Sequence, residues 1–409
     1  MKKYFAIALG ILTAIGGFVD IGDMVTNAQV GARFGLSLAP AVLIGVVGIC
    51  VFAEMSGRVA AISGRPTFDL VRERLGPRTG LLNLFGSMAV TFLTFVAEIG
   101  GVALSLQLVS SVHELLLVPF VAFVVWLVLF RARFSHMENV LGLLGLALLV
   151  FAVALWQLGP DWGSLASEAL TADKPATESW STYAYFAIAL FGAAMTPYEV
   201  FFFSSGGVEE HWSEEDLPTM RANVFVGFPL GGLLSLAIAG AAAVVLQPQG
   251  IAVGTLGEVG LPVAVALGKV GLAIAIVGFV AATFGAACET GLSVGYSISQ
   301  YLGWQWGKYV RHREATAFHV VLVLATIIAA GVLLTGVDPI LVTEFSVVFS
   351  AVALPLTYFP ILVVANDRDY LGDHVNGRLS NALGSVYLVV VCLAALAAIP
   401  LMIITRMGQ

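Results

Sequence analysis

The segment GGFVDIGDMVTNAQVG, residues 16–31, sets two carboxylates, Asp20 and Asp23, around a glycine inside an otherwise apolar run. A charge at the centre of a bilayer costs several kcal/mol, so acids in such places mark function. A second apolar run carries GAAMTPYEV, residues 192–200, where Glu199 follows a proline. Well inside the apolar runs lie the acids Asp20, Asp23, Glu54, Glu98, Glu199, Glu289 and Glu344, with the base Arg58 close to the inner end of the second run. Glu54 and Arg58 stand four apart on one helical face and pair with each other. Glu344 follows a short loop near Asp338 and reads as interfacial, and Glu289 is ambiguous, a bond within the bundle being one reading of it.

Asp20, Asp23 and Glu199 remain without a basic partner nearby in sequence. Such acids take up protons or hold a cation. Thr196 adds a hydroxyl, and unwound backbone around Ala193 would add carbonyls. An oxygen-only set of this kind suits Mg²⁺, Ca²⁺ or Mn²⁺ rather than softer metals. Met24 and Met195 are the neighbouring groups able to turn a thioether inward.

The elements that must position these groups are membrane helices. Hydrophobic residues make up 59% of the 409 positions, charged residues 11%, and mean hydropathy is +0.96. Soluble domains carry about 25% charged residues. Apolar stretches near the ~20 residues that cross a bilayer fall at 4–32, 36–63, 81–110, 115–130, 138–158, 181–206, 222–247, 261–301, 314–336, 338–364 and 381–405. The fold class expected is therefore all-α and polytopic, with eleven spans, the stretch 261–301 being long enough to project beyond the bilayer. The basic start MKKYF and the apolar run after it read as the first span rather than a cleaved leader.

The net charge of −7 comes with no basic stripe, so no nucleic-acid partner is expected. Cys50, Cys288 and Cys392 are dispersed and read as buried thiols. No HExxH and no GxxxxGK[ST] occurs, which argues against metalloprotease chemistry and ATP-driven pumping. An intramembrane aspartyl enzyme built on Asp20 and Glu199 would leave the paired organisation described next unexplained. No enzyme activity, no cofactor and no obligate protein partner is expected. A cation substrate and the lipid bilayer are the partners that remain.

With the N-terminus in the cytoplasm of a cell-membrane protein, every lysine and arginine except Arg33, Lys174, Lys269 and Arg406 falls inside, and the C-terminus lies outside. Arg65, Arg72, Arg74 and Arg78 then form a basic inner loop suited to anionic lipid. The run GGVEEHWSEEDLP, residues 206–218, reads as a solvated inner loop. The polar outer loop 159–180 separates a first unit, 1–158, from a second, 181–364, with 365–409 supplying an inner loop and a last helix. Five spans per unit is odd, so the second enters the membrane inverted, a transporter plan that holds substrate where helices break. Pro197 should unwind span 6 just before it. Gly22 is expected to do the same for span 1.

The same residues resemble a known family. DIGDMVTNAQVGARFG (20–35) resembles the Asp-Pro-Gly-Asn signature of the Nramp (natural resistance-associated macrophage protein) divalent-metal transporters. AAMTPYEVFFFSS (193–205) is similar to that family's Met-Pro-His segment, SGRVAAISGRPTFDLV (56–71) to its helix 2 exit, VAEIGGVALSLQLV (96–109) to its helix 3, and LPLTYFPILVV (354–364) to its helix 10. The resemblance implies a LeuT-like arrangement of two inverted five-helix repeats with helices 1 and 6 broken. It implies metal ligation by Asp20, Asp23, Ala193, Thr196 and Glu199, with Glu98, Tyr198, Gly22 and Pro197 in gating or an ion or proton path.

The departures carry the specificity. Asp20 stands at the family's metal-binding aspartate, but Asp23 replaces its asparagine and Thr196 its methionine. Tyr198 replaces the helix 6 histidine tied to proton handling, Phe95 a helix 3 aspartate, and Ala353 a helix 10 glutamine. Losing the soft sulfur and gaining acids relaxes preference toward Mg²⁺, as in Nramp-related magnesium transporters, with weak or no proton coupling. The alternatives are a proton-coupled Mn²⁺/Fe²⁺ transporter of the Nramp type and an amino-acid transporter of the same architecture. Two aspartates at the first break would repel an amino acid's carboxylate.

Overall fold

In the computed structural model, which describes Gly10 and residues 18–408, the regular structure is helical, with no strand among the described residues. The helices that position the site are α1 (Ile21–Phe34), α2 (Ala39–Ser63), α3 (Thr67–Ser110), α4 (Glu114–Arg131), α5 (Asn139–Leu158) and α6 (Trp162–Thr171). They continue as α7 (Trp180–Ala194), α8 (Pro197–Glu209), α9 (Phe228–Val245), α10 (Leu256–Leu302), α11 (Thr316–Leu334), α12 (Pro339–Val364) and α13 (Arg378–Ile404). Among the described residues, ten helical stretches are long and apolar enough to cross a membrane, α7 with α8 counting as one. The beginning of the first predicted span lies outside the described residues.

The helix ends follow from local chemistry. Helix α2 opens with Pro40 in its first turn and closes on Gly64 at φ 64°, ψ 15°, the left-handed cap that glycine adopts without penalty. Thr255 and Glu258 form a reciprocal capping box at the start of α10.

Three expectations are corrected. Residues 67–80 are not a loop: α3 begins at Thr67 and bends where Gly76 takes φ 81° just before Pro77. The long stretch 261–301 does not simply overshoot the bilayer, because Gly268 at φ 65° divides α10 into a short leading segment and a long span. The arginines of the supposed basic loop are largely spent on acids. Arg65 pairs with Asp69 at 2.8 Å and Glu73 at 2.6 Å, Arg72 with Asp69 at 3.4 Å and Arg74 with Asp367 at 2.5 Å. This pairing holds the Glu73 carboxyl below its ordinary range, chiefly through the Arg65 hydrogen bond. A charged amphipathic helix has no apolar run to betray it, so it reads as a loop.

Two apolar cores result. One gathers Phe95, Val125, Phe151, Phe279, Leu292 and Phe318 from α3, α4, α5, α10 and α11. The other gathers Phe52, Phe68, Phe191, Phe201, Leu354 and Tyr358 from α2, α3, α7, α8 and α12. Helix α1 runs between them, giving Ile21, Met24 and Val25 to the first and Val30 and Phe34 to the second. In lipid such helices are held by close packing and by polar bonds between helices. Gly31 shows the first: a Cβ there would come within 2.0 Å of the Ala239 carbonyl oxygen. Thr94 to Ser346 at 2.6 Å and Ser87 to Thr357 at 3.1 Å, joining α3 to α12, show the second. Helix α13 lies at the edge, with Leu379, Val389, Leu393, Leu396 and Ile403 exposed.

Candidate metal-binding site at two helix breaks

The first break lies at Val19–Asp20, two to three residues before Gly22. Asp20 is extended (φ −100°, ψ −175°) and caps α1, its Oδ1 accepting from the Asp23 backbone N–H at 2.8 Å. Gly22 sits inside the first helical turn. Its glycine is needed for proximity, because a Cβ would come within 3.0 Å of both Asp20 Oδ1 and Val347 Cγ2. Glu98 on α3 completes the cap: its Oε1 accepts from the Ile21 N–H at 3.1 Å. Two of the four free N–H groups at the start of α1 are thereby satisfied by acids, which the positive end of the helix stabilises.

The second break falls where Pro197 requires it. Helix α7 stops at Ala194, Met195 leaves helical geometry (φ −119°, ψ 48°) and α8 starts at Pro197. Pro197 has no N–H, so the Ala193 carbonyl loses the donor four residues ahead. Tyr358 donates from its hydroxyl to the Met195 carbonyl at 3.2 Å, steadying the unwound link. Thr196 precedes α8 in the capping position, yet its side chain makes no capping bond. Glu199 occupies the first turn of α8 and so faces the same kind of helix end as Asp23.

The two breaks meet. Tyr198 donates from its hydroxyl to Asp20 Oδ2 at 3.3 Å, linking α8 to α1. Asp20 and Asp23 are 4% and 2% exposed, Glu98 is fully buried, and Thr196 and Glu199 are partly open. The carboxylates act on one another electrostatically: Asp23 with Asp20 and Glu199, Glu98 with Asp20, Asp23 and Glu289. Among the described residues no lysine, arginine or histidine forms an ion pair with Asp20, Asp23, Glu98 or Glu199. Nor do three or more His, Cys, Asp or Glu side chains close around one point as a dehydrated metal cage would require.

Sequence reasoning located the acids but not their brackets. Asn27, one turn beyond Asp23, donates to the Asp23 carbonyl at 2.9 Å and to its carboxylate at 3.4 Å. The four-residue spacing was a usable signal for it; Tyr358, which comes from a distant helix, offered none. Neither thioether joins the site. Met24 is buried in one apolar core, and Met195 in the other, where its sulfur comes within 2.5 Å of a Cβ placed on Gly48. Phe95 lies in apolar surroundings beside Gly291. Glu54 is set apart, clasped by Arg58 at 3.1 Å and Arg221 at 3.0 Å. Glu344, half-buried, accepts from Gln29 at 2.8 Å at the mouth of a cavity of about 600 Å³ that Arg33, Gln247 and Val253 also line.

Fold and site together define a polytopic helical membrane protein with two interrupted helices whose breaks share one acidic centre. The sequence pattern of the "Natural resistance-associated macrophage protein-like" (Nramp) family matches residues 10–400, and the chain belongs to that family. It is 25% identical over 393 residues to the divalent metal cation transporter MntH of Deinococcus radiodurans, covering 91% of this chain and 85% of that one. It is 27% identical over 410 residues to MntH of Ralstonia nicotianae, covering 95% and 88%. Its fold matches a variant of the Eremococcus coleocola manganese transporter with a TM-score of 0.77 at 16% identity, over 98% of this chain and 87% of that one. A nucleobase-cation-symport-1 family transporter, Mhp1, gives a TM-score of 0.61 at 15% identity, over 96% and 91%.

Proposed function

We propose that the protein carries hard divalent cations, Mg²⁺ as well as Mn²⁺, across a cell membrane by alternating access, with weak or no proton coupling. The observation that carries this reading is the meeting of Asp20, Asp23 and Glu199 at two helix N-termini without a basic partner among the described residues. Buried acids so placed call for a compensating cation. The named substrates of the relatives, divalent metal cations and manganese, point the same way.

Magnesium is favoured by what the centre lacks and by its looseness. Thr196 supplies a hydroxyl where the family carries a thioether, and Met24 and Met195 are turned into apolar cores. A centre without a tight cage suits an ion that keeps several of its waters. Weak coupling is favoured by Phe95 in an apolar core and by Tyr198 held on Asp20. Asp20, Asp23, Ala193, Thr196 and Glu199 are the proposed ligand set, with Gly22 and Pro197 framing the breaks. The paired bends at Gly76 and Gly268 and the paired breaks support two inverted units, 1–158 and 181–364.

Uptake of Mg²⁺ and Mn²⁺ into proteoliposomes with a pH dye inside tests the reading. Saturable uptake of both ions, with KM raised by more than about tenfold (~1.4 kcal/mol) in D20N, supports it. Strict Mn²⁺ transport in which Mg²⁺ neither moves nor competes rejects it. One observation favours the proton-coupled alternative: Glu98 Oε2 is buried without a partner among the described residues, beside the start of α1. Interior acidification that tracks metal entry and vanishes in E98Q would establish that alternative.

A further inference from the structure

Among the described residues, the seam between α1 and α9 holds two buried polar groups left without a hydrogen-bond partner. Asn27, 1% exposed, turns its amide nitrogen toward Asp23, and this fixes its orientation, because a flipped amide would set oxygen against two acceptors. Its Oδ1 is therefore turned away from them, buried and without a partner. Ser235 on α9 is fully buried, and its Oγ likewise has no partner.

Helix register sets these two groups on facing sides of the seam. Gly31 lies against the backbone of Ala239, and Asn27 precedes Gly31 by one turn as Ser235 precedes Ala239. Gln29, late in α1, donates to the Val253 carbonyl in the segment after α9, so the two helices run in the same direction, and equal offsets from Gly31 and Ala239 set the pair near one level. That level is one turn beyond Asp23. Buried polar atoms are almost always bonded, and leaving one unpaired is costly. Two facing each other beside an acidic centre mark a place for ordered water on a passing ion.

We propose that Asn27 and Ser235 are specificity-determining residues that accept hydrogen bonds from the water shell of a hard divalent cation held at Asp20 and Asp23. This rests on the transport reading given above. Water bound to a divalent cation is a strong donor, and an amide oxygen accepts only. Mg²⁺ sheds its shell reluctantly, so it depends on such acceptors more than Mn²⁺ does.

The test is uptake of Mg²⁺ and of Mn²⁺ by the full chain in proteoliposomes, with KM and kcat resolved for each ion. In N27L, KM for Mg²⁺ rises about tenfold more than KM for Mn²⁺ does, as loss of one bond to a charged group implies. S235A moves the ratio of the two KM values the same way and less. N27D, which keeps an acceptor but loses the donor to Asp23, holds KM for Mg²⁺ within about threefold of the parent. Equal impairment of N27D and N27L would overturn the inference, since only the bond to Asp23 would then matter. So would an unchanged ion ratio in S235A, which decides the matter should N27L fail to fold. A parent protein that carries neither ion would instead overturn the transport reading, and this one with it.

Discussion

At the scale of single residues, the centre is organised by short bonds that keep carboxylates together against their repulsion. Asp20 spends one oxygen on the α1 backbone and shares the other with Tyr198. Tyr198→Phe removes a neutral hydroxyl from a carboxylate that keeps its other bond. It should raise KM for Mn²⁺ by about two- to fivefold, the scale of one ordinary hydrogen bond; an unchanged KM would mean the hydroxyl leaves Asp20 during transport. Glu54 makes the contrast. It is tied to Arg58 and Arg221, and Arg58 also reaches Asn376 at 2.5 Å and the His374 carbonyl. Glu54→Gln strands buried guanidinium charge, costing about 3 kcal/mol. A lower unfolding midpoint in detergent, with KM for Mn²⁺ unchanged, is expected. The acids and their sorting into paired and unpaired were legible in the sequence, because apolar context and i, i+4 spacing are local. Asn27 and Ser235 were not, because their meaning depends on a neighbouring helix.

At the scale of elements, the second break was legible from Pro197 and the first was displaced. A proline forbids a hydrogen bond outright, whereas a glycine only permits distortion, and here Gly22 serves closeness to Val347 instead. Pro197→Ala lets the Ala193 carbonyl regain a donor. Turnover should fall by more than about tenfold (~1.4 kcal/mol) while the unfolding midpoint holds or rises. A single uptake and melting series checks both. The segment between α10 and α11 joins distant elements in a comparable way. Lys308 donates from Nζ to the Val128 carbonyl at 3.2 Å and to that of Leu129 at the end of α4, while its backbone N–H reaches Glu209 at the end of α8 at 2.5 Å. Burial pushes the Lys308 ammonium down to about 8 from an ordinary 10.5. The unfolded chain binds that proton up to a higher pH than the folded one. Stability contributed by this group is therefore lowest below pH 8 and rises from there toward 10.5. Melting curves from pH 7.5 to 9.5 should show a rise that is flattened in K308M.

At the scale of the whole molecule, composition alone demanded a helical membrane protein, and among the described residues ten apolar helices match the predicted spans from the second onward. What the pattern of apolar runs could not give is the helix over 67–76 and the bend at Gly268, since neither changes the hydropathy of the chain. Orientation rests on the distribution of lysine and arginine. It predicts that S164C, in α6, is labelled by an impermeant maleimide on intact cells, and that R313C is labelled only after permeabilisation, both in a background lacking Cys50, Cys288 and Cys392. The reverse pattern would invert the assignment. The contact of Gly31 with Ala239 has a consequence for how such a molecule can open. Two backbones that touch with no side chain between them cannot slide or part without losing their whole grip, so α1 and α9 must travel as one lever. Among the described residues, the non-helical pair Val19–Asp20 offers that lever a joint, so the aspartate proposed as a cation ligand is also placed to act as a pivot.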